Sequence, residues 1–420
     1  MTFKEQLFSR YPALASRDFF IFWAGQFISL IGTWMQSTAQ PYLAYRLSGR
    51  PFDLGLIGFA ASLPTLLLAL PAGVLVERLD KRKTVIVMQV VMMLQALVLS
   101  LLALSGVIQI WHIFVLALVL GTANAIEITA RQAMLIELVG KDALPNAIAL
   151  QSTIFNLARV LGPSLVAPFL IILQDEGEGW AFLANGISYL FVIIGLLFVR
   201  TPFHEEKTTT GKRNVIEEFK EGQRYIRQTQ MVLLIILMAS ISGFIGFPFT
   251  LQIPAIARDV LIQIGDTSAS IAARNSGLYT AQGIGAFVAA VSLASFNPPK
   301  KGWMLLAGQA AFILGLFSIG LTRSVPVALV LLVIIGWGTV TQLATMNTLI
   351  QLQVPNDLRG RVFATYLWGL QGVAPFGNIL VGWMAQTWGV PNAALICGAI
   401  SLLAIGGIQL SNPSLRNLKV

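Results

Sequence analysis

The 420-residue sequence predicts an all-α polytopic membrane protein with twelve transmembrane helices in two pseudo-symmetric six-helix bundles. Three observations predict it. Hydrophobic residues make up 56% of the chain and charged residues 11%, and the mean hydropathy is +0.75. Soluble domains carry roughly 25% charged residues, so this much apolar surface needs a bilayer as its solvent. The apolar residues fall into twelve runs, each near or above the roughly 20 residues that span a hydrocarbon core. A polar segment from Thr201 to Gln228 leaves six runs on either side.

The runs cover 19–45, 52–76, 83–105, 111–134, 145–172 and 180–200, then 230–256, 272–295, 302–322, 325–348, 360–386 and 390–410. These limits define an N-terminal bundle (1–200), a cytoplasmic linker (201–229) and a C-terminal bundle (230–420). Several runs exceed the minimum span, so tilt or protruding ends are expected. With the N-terminus in the cytoplasm, most of the 28 Lys and Arg fall in inside segments, which by the positive-inside rule puts both termini there. The same rule accounts for the net charge of +9 without invoking nucleic acid. In the linker, Val215, Phe219, Gly222, Tyr225 and Ile226 recur at helical spacing among charges, the pattern of an amphipathic helix at the cytoplasmic face. The shift that carries Gly121 onto Gly336 also carries Asp142 onto Asp357, Gly162 onto Gly377 and Leu165-Val166 onto Leu380-Val381, the mark of an internal repeat.

Some functional classes are excluded early. The single cysteine, Cys397, forbids a disulfide framework, and two isolated histidines, His112 and His204, offer no metal site. No Walker loop and no nucleophile–base pair is present, so neither an ATP-driven pump nor an enzyme is expected, and no cofactor. A scaffold or receptor in the membrane is a reading from a different class, but it calls for a sizeable soluble domain that these short loops do not supply.

An ionisable group inside a span costs about 2.5–3.5 kcal/mol on insertion scales, so it marks a cavity or a partner. In the first span, Gln26, Ser29, Thr33, Gln36, Ser37 and Gln40 form one polar stripe. It lines a water-filled path or serves helix–helix hydrogen bonding. In the fourth span, Asn124, Glu127 and Arg131 share a face, and Glu127 can pair with Arg131 one turn away. Glu127 is the candidate proton carrier; a fixed salt bridge is the competing reading. In the fifth span, Asn156 and Arg159 precede Gly162-Pro163, a candidate hinge because proline removes a backbone bond. Arginine keeps its proton at any ordinary pH. Arg159 is therefore a candidate for holding an anionic group, or part of a buried pair. The second half offers neutral cavity candidates, among them Gln342, Trp368 and Gln371.

Six ionisable side chains lie between Glu77 and Lys83, in the loop joining the second and third runs. Gly73, Glu77, Arg78, Asp80 and Arg82 form a candidate conformational gate, with Arg131 at similar depth as a latch to Glu77 or Asp80. A stop of solvated charges between two spans is the plainer alternative.

Gly73, Leu75, Glu77, Arg78, Lys81, Arg82 and Lys83 occupy the places of the loop signature between the second and third spans of the major facilitator superfamily, which this chain resembles. The acid is Glu77 where aspartate is usual, and Asp80 replaces a common glycine. The segments Asn124–Gln132 and Asn156–Pro163 are similar to the transmembrane secretion effector branch, which includes the enterobactin exporter and multidrug proton antiporters. Gly162-Pro163 matches that branch's fifth-span signature, whereas Val166-Ala167 stands where glycines are expected. The resemblance implies the major facilitator fold, with two bundles around a cavity that opens alternately to each side. It also implies efflux driven by inward proton flow.

The expected function is therefore proton-coupled export of an amphipathic, drug- or siderophore-like small molecule by a monomer in the cytoplasmic (inner) membrane of a bacterium. Its partners would be the substrate, protons and the lipid bilayer. An uncoupled facilitator, or an importer of a lipid or organic anion held by Arg159, is the alternative.

Overall fold

A bilayer offers no partner to a free backbone amide, so apolar runs satisfy their N–H and C=O groups internally, as helices. The computed structural model describes residues 11–77, 79–201, 215–295, 300–355 and 358–418, and its elements there are all helical. α1 (Arg17–Ser48), α2 (Pro51–Glu77), α3 (Lys81–Leu104), α4 (Ile110–Ile172) and α5 (Gly177–Phe198) precede α6 (Val215–Gln228). α7 (Gln230–Ile241) continues through π and 3-10 turns to Val260. Then come α8 (Ser268–Ser295), α9 (Lys301–Leu321), α10 (Val325–Gln353), α11 (Arg359–Leu367), α12 (Ala374–Trp388) and α13 (Val390–Ser401).

Nine helical segments among the described residues are long and apolar enough to cross a membrane. The expected runs at 19–45 and 360–386 are not among them, and those at 111–134 and 145–172 share the one helix α4. Each difference has a cause in the sequence. The amides and hydroxyls of α1 dilute its hydropathy. A π turn at Trp368–Gly372 separates α11 from α12, so each piece is short. Within α4, Gly140 breaks the helix at φ 74°, ψ 170°, a conformation that glycine adopts without steric cost. α4 thus has two arms, 110–139 and 141–172. Large apolar side chains point outward along these helices: Leu101, Ile172, Leu197 and Leu403 are 69%, 74%, 62% and 77% exposed. Apolar exposure on this scale suits lipid and not water.

Contacts divide the chain into two units, Met1–Leu43 with Leu63–Thr208 and Ala44–Ser62 with Thr209–Val420. In the first, Phe19 and Phe22 of α1, Val85 of α3, Met134 and Leu138 of α4, and Val192 and Leu196 of α5 form one buried cluster. The charged turn before α3 is tied into this unit. Asp80 caps α3 by accepting from the Lys83 amide at 3.0 Å. Lys81 pairs with Glu137 at the end of the first arm of α4. Arg82 Nη2 donates to the Leu197 carbonyl at 3.0 Å, in the last turn of α5, where cations are favoured.

In the second unit the segment 44–62 is held by polar contacts. The Tyr45 hydroxyl bonds Asp259, Gln252 Nε2 donates to the Pro51 carbonyl at 3.3 Å, and Asn378 Nδ2 donates to Ser62 Oγ at 3.2 Å. α6 falls in the segment read as an amphipathic linker helix. It docks through a Glu221–Arg361 ion pair and the Tyr225 hydroxyl, which donates to the Gln353 carbonyl at 3.1 Å.

α8 and α10 approach through glycines. A Cβ on Gly285 would lie 1.9 Å from the Val333 carbonyl oxygen, and one on Gly336 would lie 2.0 Å from that of Gln282. Small residues at such crossings let backbones touch in lipid, where no hydrophobic effect drives helices together. Gly285→Leu forces the pair apart and is expected to cost at least about 1–3 kcal/mol, read as an earlier thermal unfolding midpoint in detergent.

Ahead of α8, Asp266 accepts from Arg274 Nη1 at 3.0 Å, from Ser270 Oγ at 2.9 Å and from the Gln263 amide at 2.9 Å. The Arg274 guanidinium holds the Asp266 carboxyl down at about 2, below the ordinary 3.8. A depressed folded value adds stability that is fully present above the unfolded value and is lost as pH falls through the folded one. The stability lead of wild type over Asp266→Asn should therefore be constant near neutrality and shrink as pH drops from about 4 toward about 2, followed by fluorescence-detected unfolding across that range.

Candidate functional site

The first arm of α4 carries Asn124, Glu127 and Arg131 on one face, as their spacing requires. Glu127 is 3% exposed, and Asn124 is partly buried. Arg131 Nε donates to both Glu127 oxygens, at 3.1 and 3.3 Å. Gln89 Nε2 of α3 donates to Oε1 at 3.2 Å. On its other side, Arg131 Nη1 donates to Gln151 Oε1 of the second arm at 3.2 Å. The sequence reading left Arg131 as a latch to Glu77 or Asp80. Among the described residues its partners are Glu127 and Gln151, while Asp80 caps α3. The side chains of Gly73, Glu77 and Arg78 lie outside the described residues.

Arg131 forms part of the wall of a cavity of about 240 Å³ within the first unit. Gln26, Gln151 and Ser152 supply its other polar groups, and Leu30, Ile148, Ile154 and Phe155 its apolar ones. Ligand pockets commonly run to about 300–1,000 Å³, so this space takes one group of a larger molecule. The chemistry available is specific. The guanidinium stays charged, so Glu127 has two states: a carboxylate neutralised by Arg131, or a neutral acid beside a cation freed for another acceptor.

Arg159 takes a different partner. It lies over the Trp34 ring at 5.4 Å from the centroid, and Trp34 meets Phe155 edge-on at 5.5 Å. No carboxylate pairs with it among the described residues, so the buried-pair reading does not hold here; a cation–π contact partly replaces the lost solvation. Asn156 Nδ2 donates to the Ser152 carbonyl at 2.8 Å, one turn back. Gly162 lets α4 pass Trp34, since a Cβ there would meet the Trp34 Cβ at 2.4 Å, and α4 stays helical through Gly162-Pro163.

The polar stripe of α1 divides. Gln26, Ser29, Gln36 and Gln40 are buried inside the first unit, Thr33 is half-buried and Ser37 is exposed. Gln36 Nε2 donates to Gln95 Oε1 of α3 at 3.2 Å and to Gln40 Oε1 at 3.1 Å, and Gln36 Oε1 accepts from Asn185 Nδ2 of α5 at 2.7 Å. Thr33 and Ser37 bond back to carbonyls of their own helix, at 2.9 and 2.8 Å. Gln89, Gln95, Gln151, Asn185 and Tyr189 were not singled out from the sequence; amides inside otherwise apolar α3 were the available signal. In the second unit, Gln342 is fully buried and accepts from Ser242 Oγ at 3.3 Å, whereas Trp368 is 58% exposed and Gln371 is exposed. No cluster of metal-ligating side chains occurs among the described residues.

Nine segments long and apolar enough to cross a membrane among the described residues, with a buried ion pair beside a cavity, fit the class of multi-pass membrane transporters. Residues 8–419 match the family model of transmembrane secretion effectors, and the chain belongs to that family of the major facilitator superfamily. Its relatives are transporters and not enzymes. The chain is 22% identical to macrolide efflux protein A of Streptococcus pyogenes, over 91% of this chain and 93% of that one. It is 22% identical to the enterobactin exporter EntS of Shigella boydii, over 92% and 89%. Among solved structures, a D-xylose–proton symporter superposes with a TM-score of 0.72 at 13% identity, covering 95% of this chain and all of that one, a likeness of fold alone.

Proposed function

We propose that this protein exports amphipathic small molecules, macrolide- or siderophore-like in character, by proton antiport and alternating access. The observation that carries the reading is Glu127: a buried membrane carboxylate whose counter-ion, Arg131, also lines a cavity. Protonation on one side of the membrane and release on the other would switch Arg131 between its two partnerships. Arg159, stacked on Trp34, is the second cation available to a polar substrate group. The reading includes twelve spans, both termini in the cytoplasm, bundles at 1–200 and 230–420 joined by the linker 201–229, and a monomer in the bacterial inner membrane. The candidate gate at Gly73, Glu77, Arg78, Asp80 and Arg82 and the hinge at Gly162-Pro163 would serve the conformational step. An efflux-deficient bacterial host expressing the chain, grown on a panel of macrolides, other drugs and siderophores, tests this. Raised tolerance or lowered retention of at least one compound supports export. Increased retention across the panel instead favours the importer.

A further inference from the structure

The polar interior of the first unit is more continuous than packing requires. Gln26 and Arg131 stand at the cavity. Next along the bundle, Gln89 holds Glu127. Tyr189 of α5 is 2% exposed in the same interior, and its electrostatic environment includes Thr33, Asn185 and Glu127. Asn185 bonds Gln36, and Gln36 bonds both Gln95 and Gln40. From Gln26 to Gln40 the column follows about 21 Å of α1 at 1.5 Å per residue. Moreover, three buried amide atoms, Gln26 Oε1, Gln89 Oε1 and Gln95 Nε2, have no protein partner. Orphaned buried amide groups are characteristic binding points for internal water.

We propose that the part of this amide-and-hydroxyl column from the Gln40 end of α1 to Glu127 is the proton's route. The proposal rests on the reading of Glu127 as the proton carrier. The amides do not ionise; they hold waters. A proton enters as hydronium and passes from water to water. At Tyr189 the hydroxyl accepts one proton as it gives up another and stays neutral. The proton ends on a Glu127 oxygen, cancelling the carboxylate charge while Arg131 keeps its own. The ionisable groups that act on Glu127 are Arg131 on its own helix, which pairs with it, and Tyr189 on α5, which acts through space; α1 and α3 contribute neutral amides and hydroxyls.

Infrared difference spectroscopy on the full-length protein in proteoliposomes tests the route without a substrate. The carboxylic-acid band lost in Glu127→Gln identifies the site, and its exchange after a deuterium jump on one side of the membrane gives the rate of access. Gln36→Leu and Gln95→Leu are expected to slow exchange from the Gln40 side by about tenfold or more, equivalent to removing one hydrogen-bonded relay position. Exchange from the opposite side should be unchanged, and Gln95→Asn, which retains an amide, should recover part of the rate. Should either leucine variant fail to fold, Gln40→Leu at the mouth of the column and Gln95→Met replace it. Unaltered exchange in the apolar variants overturns the route while leaving Glu127 as carrier. Absence of any Glu127 band at every accessible pH overturns both.

Discussion

With the membrane potential clamped at zero, wild-type protein in proteoliposomes is expected to build about a tenfold substrate gradient per unit of pH difference, and Glu127→Gln none. The magnitude follows from the coupling. One pH unit is worth about 1.36 kcal/mol per proton. If one proton on Glu127 exchanges for one substrate molecule, that free energy appears in the substrate gradient. Glutamine keeps the size and hydrogen-bonding capacity of a protonated glutamate but cannot release a proton. It leaves Arg131 and Gln151 in place at the cavity, so equilibrium binding of a macrolide or siderophore selected by the growth panel should persist. Accumulation by Glu127→Gln equal to wild type would remove the carboxylate from the coupling step.

Arg131→Ala is expected to have the largest effect on stability. The Glu127 and Arg131 side chains are 4% and 18% exposed. Removing one member of such a pair strands the other charge in a low-dielectric interior, at a cost of about 3–5 kcal/mol. The double variant Glu127→Gln/Arg131→Ala removes both charges and should recover most of the loss, giving a large positive coupling in a double-mutant cycle. Thermal unfolding in a single detergent measures all four proteins. Additive single effects would show that Arg131 stabilises α4 through packing or Gln151 alone.

The fold was largely legible because its determinants are local. Apolar runs, charged loops and the break at the linker act over short stretches of sequence, and a bilayer allows little besides helices. The pairing of Glu127 with Arg131 was legible for the same reason, since both lie on one turn of one helix. Contacts between helices were not. The depth of the charged turn suggested that Arg131 reaches toward Glu77 or Asp80, yet depth says nothing of azimuth, and Gln89 and Gln151 come from segments whose rotation the sequence does not encode locally. The stripe of α1 was visible as a period, but which face meets α3 and α5 depended on Gln95 and Asn185, remote in sequence. Arg159 illustrates the same limit: its partner is the face of Trp34, and no charge pattern announces a cation–π contact.

Opposed movement of substrate and protons is the central claim, and a trapped pH dye reads it directly. Proteoliposomes loaded with a transported macrolide or siderophore, then diluted into substrate-free buffer at equal pH with the potential clamped, should take up protons as substrate leaves, so that the lumen acidifies. Glu127→Gln vesicles should show no such change. Substrate loss from wild-type vesicles with a constant luminal pH, or with alkalinisation, would contradict proton antiport.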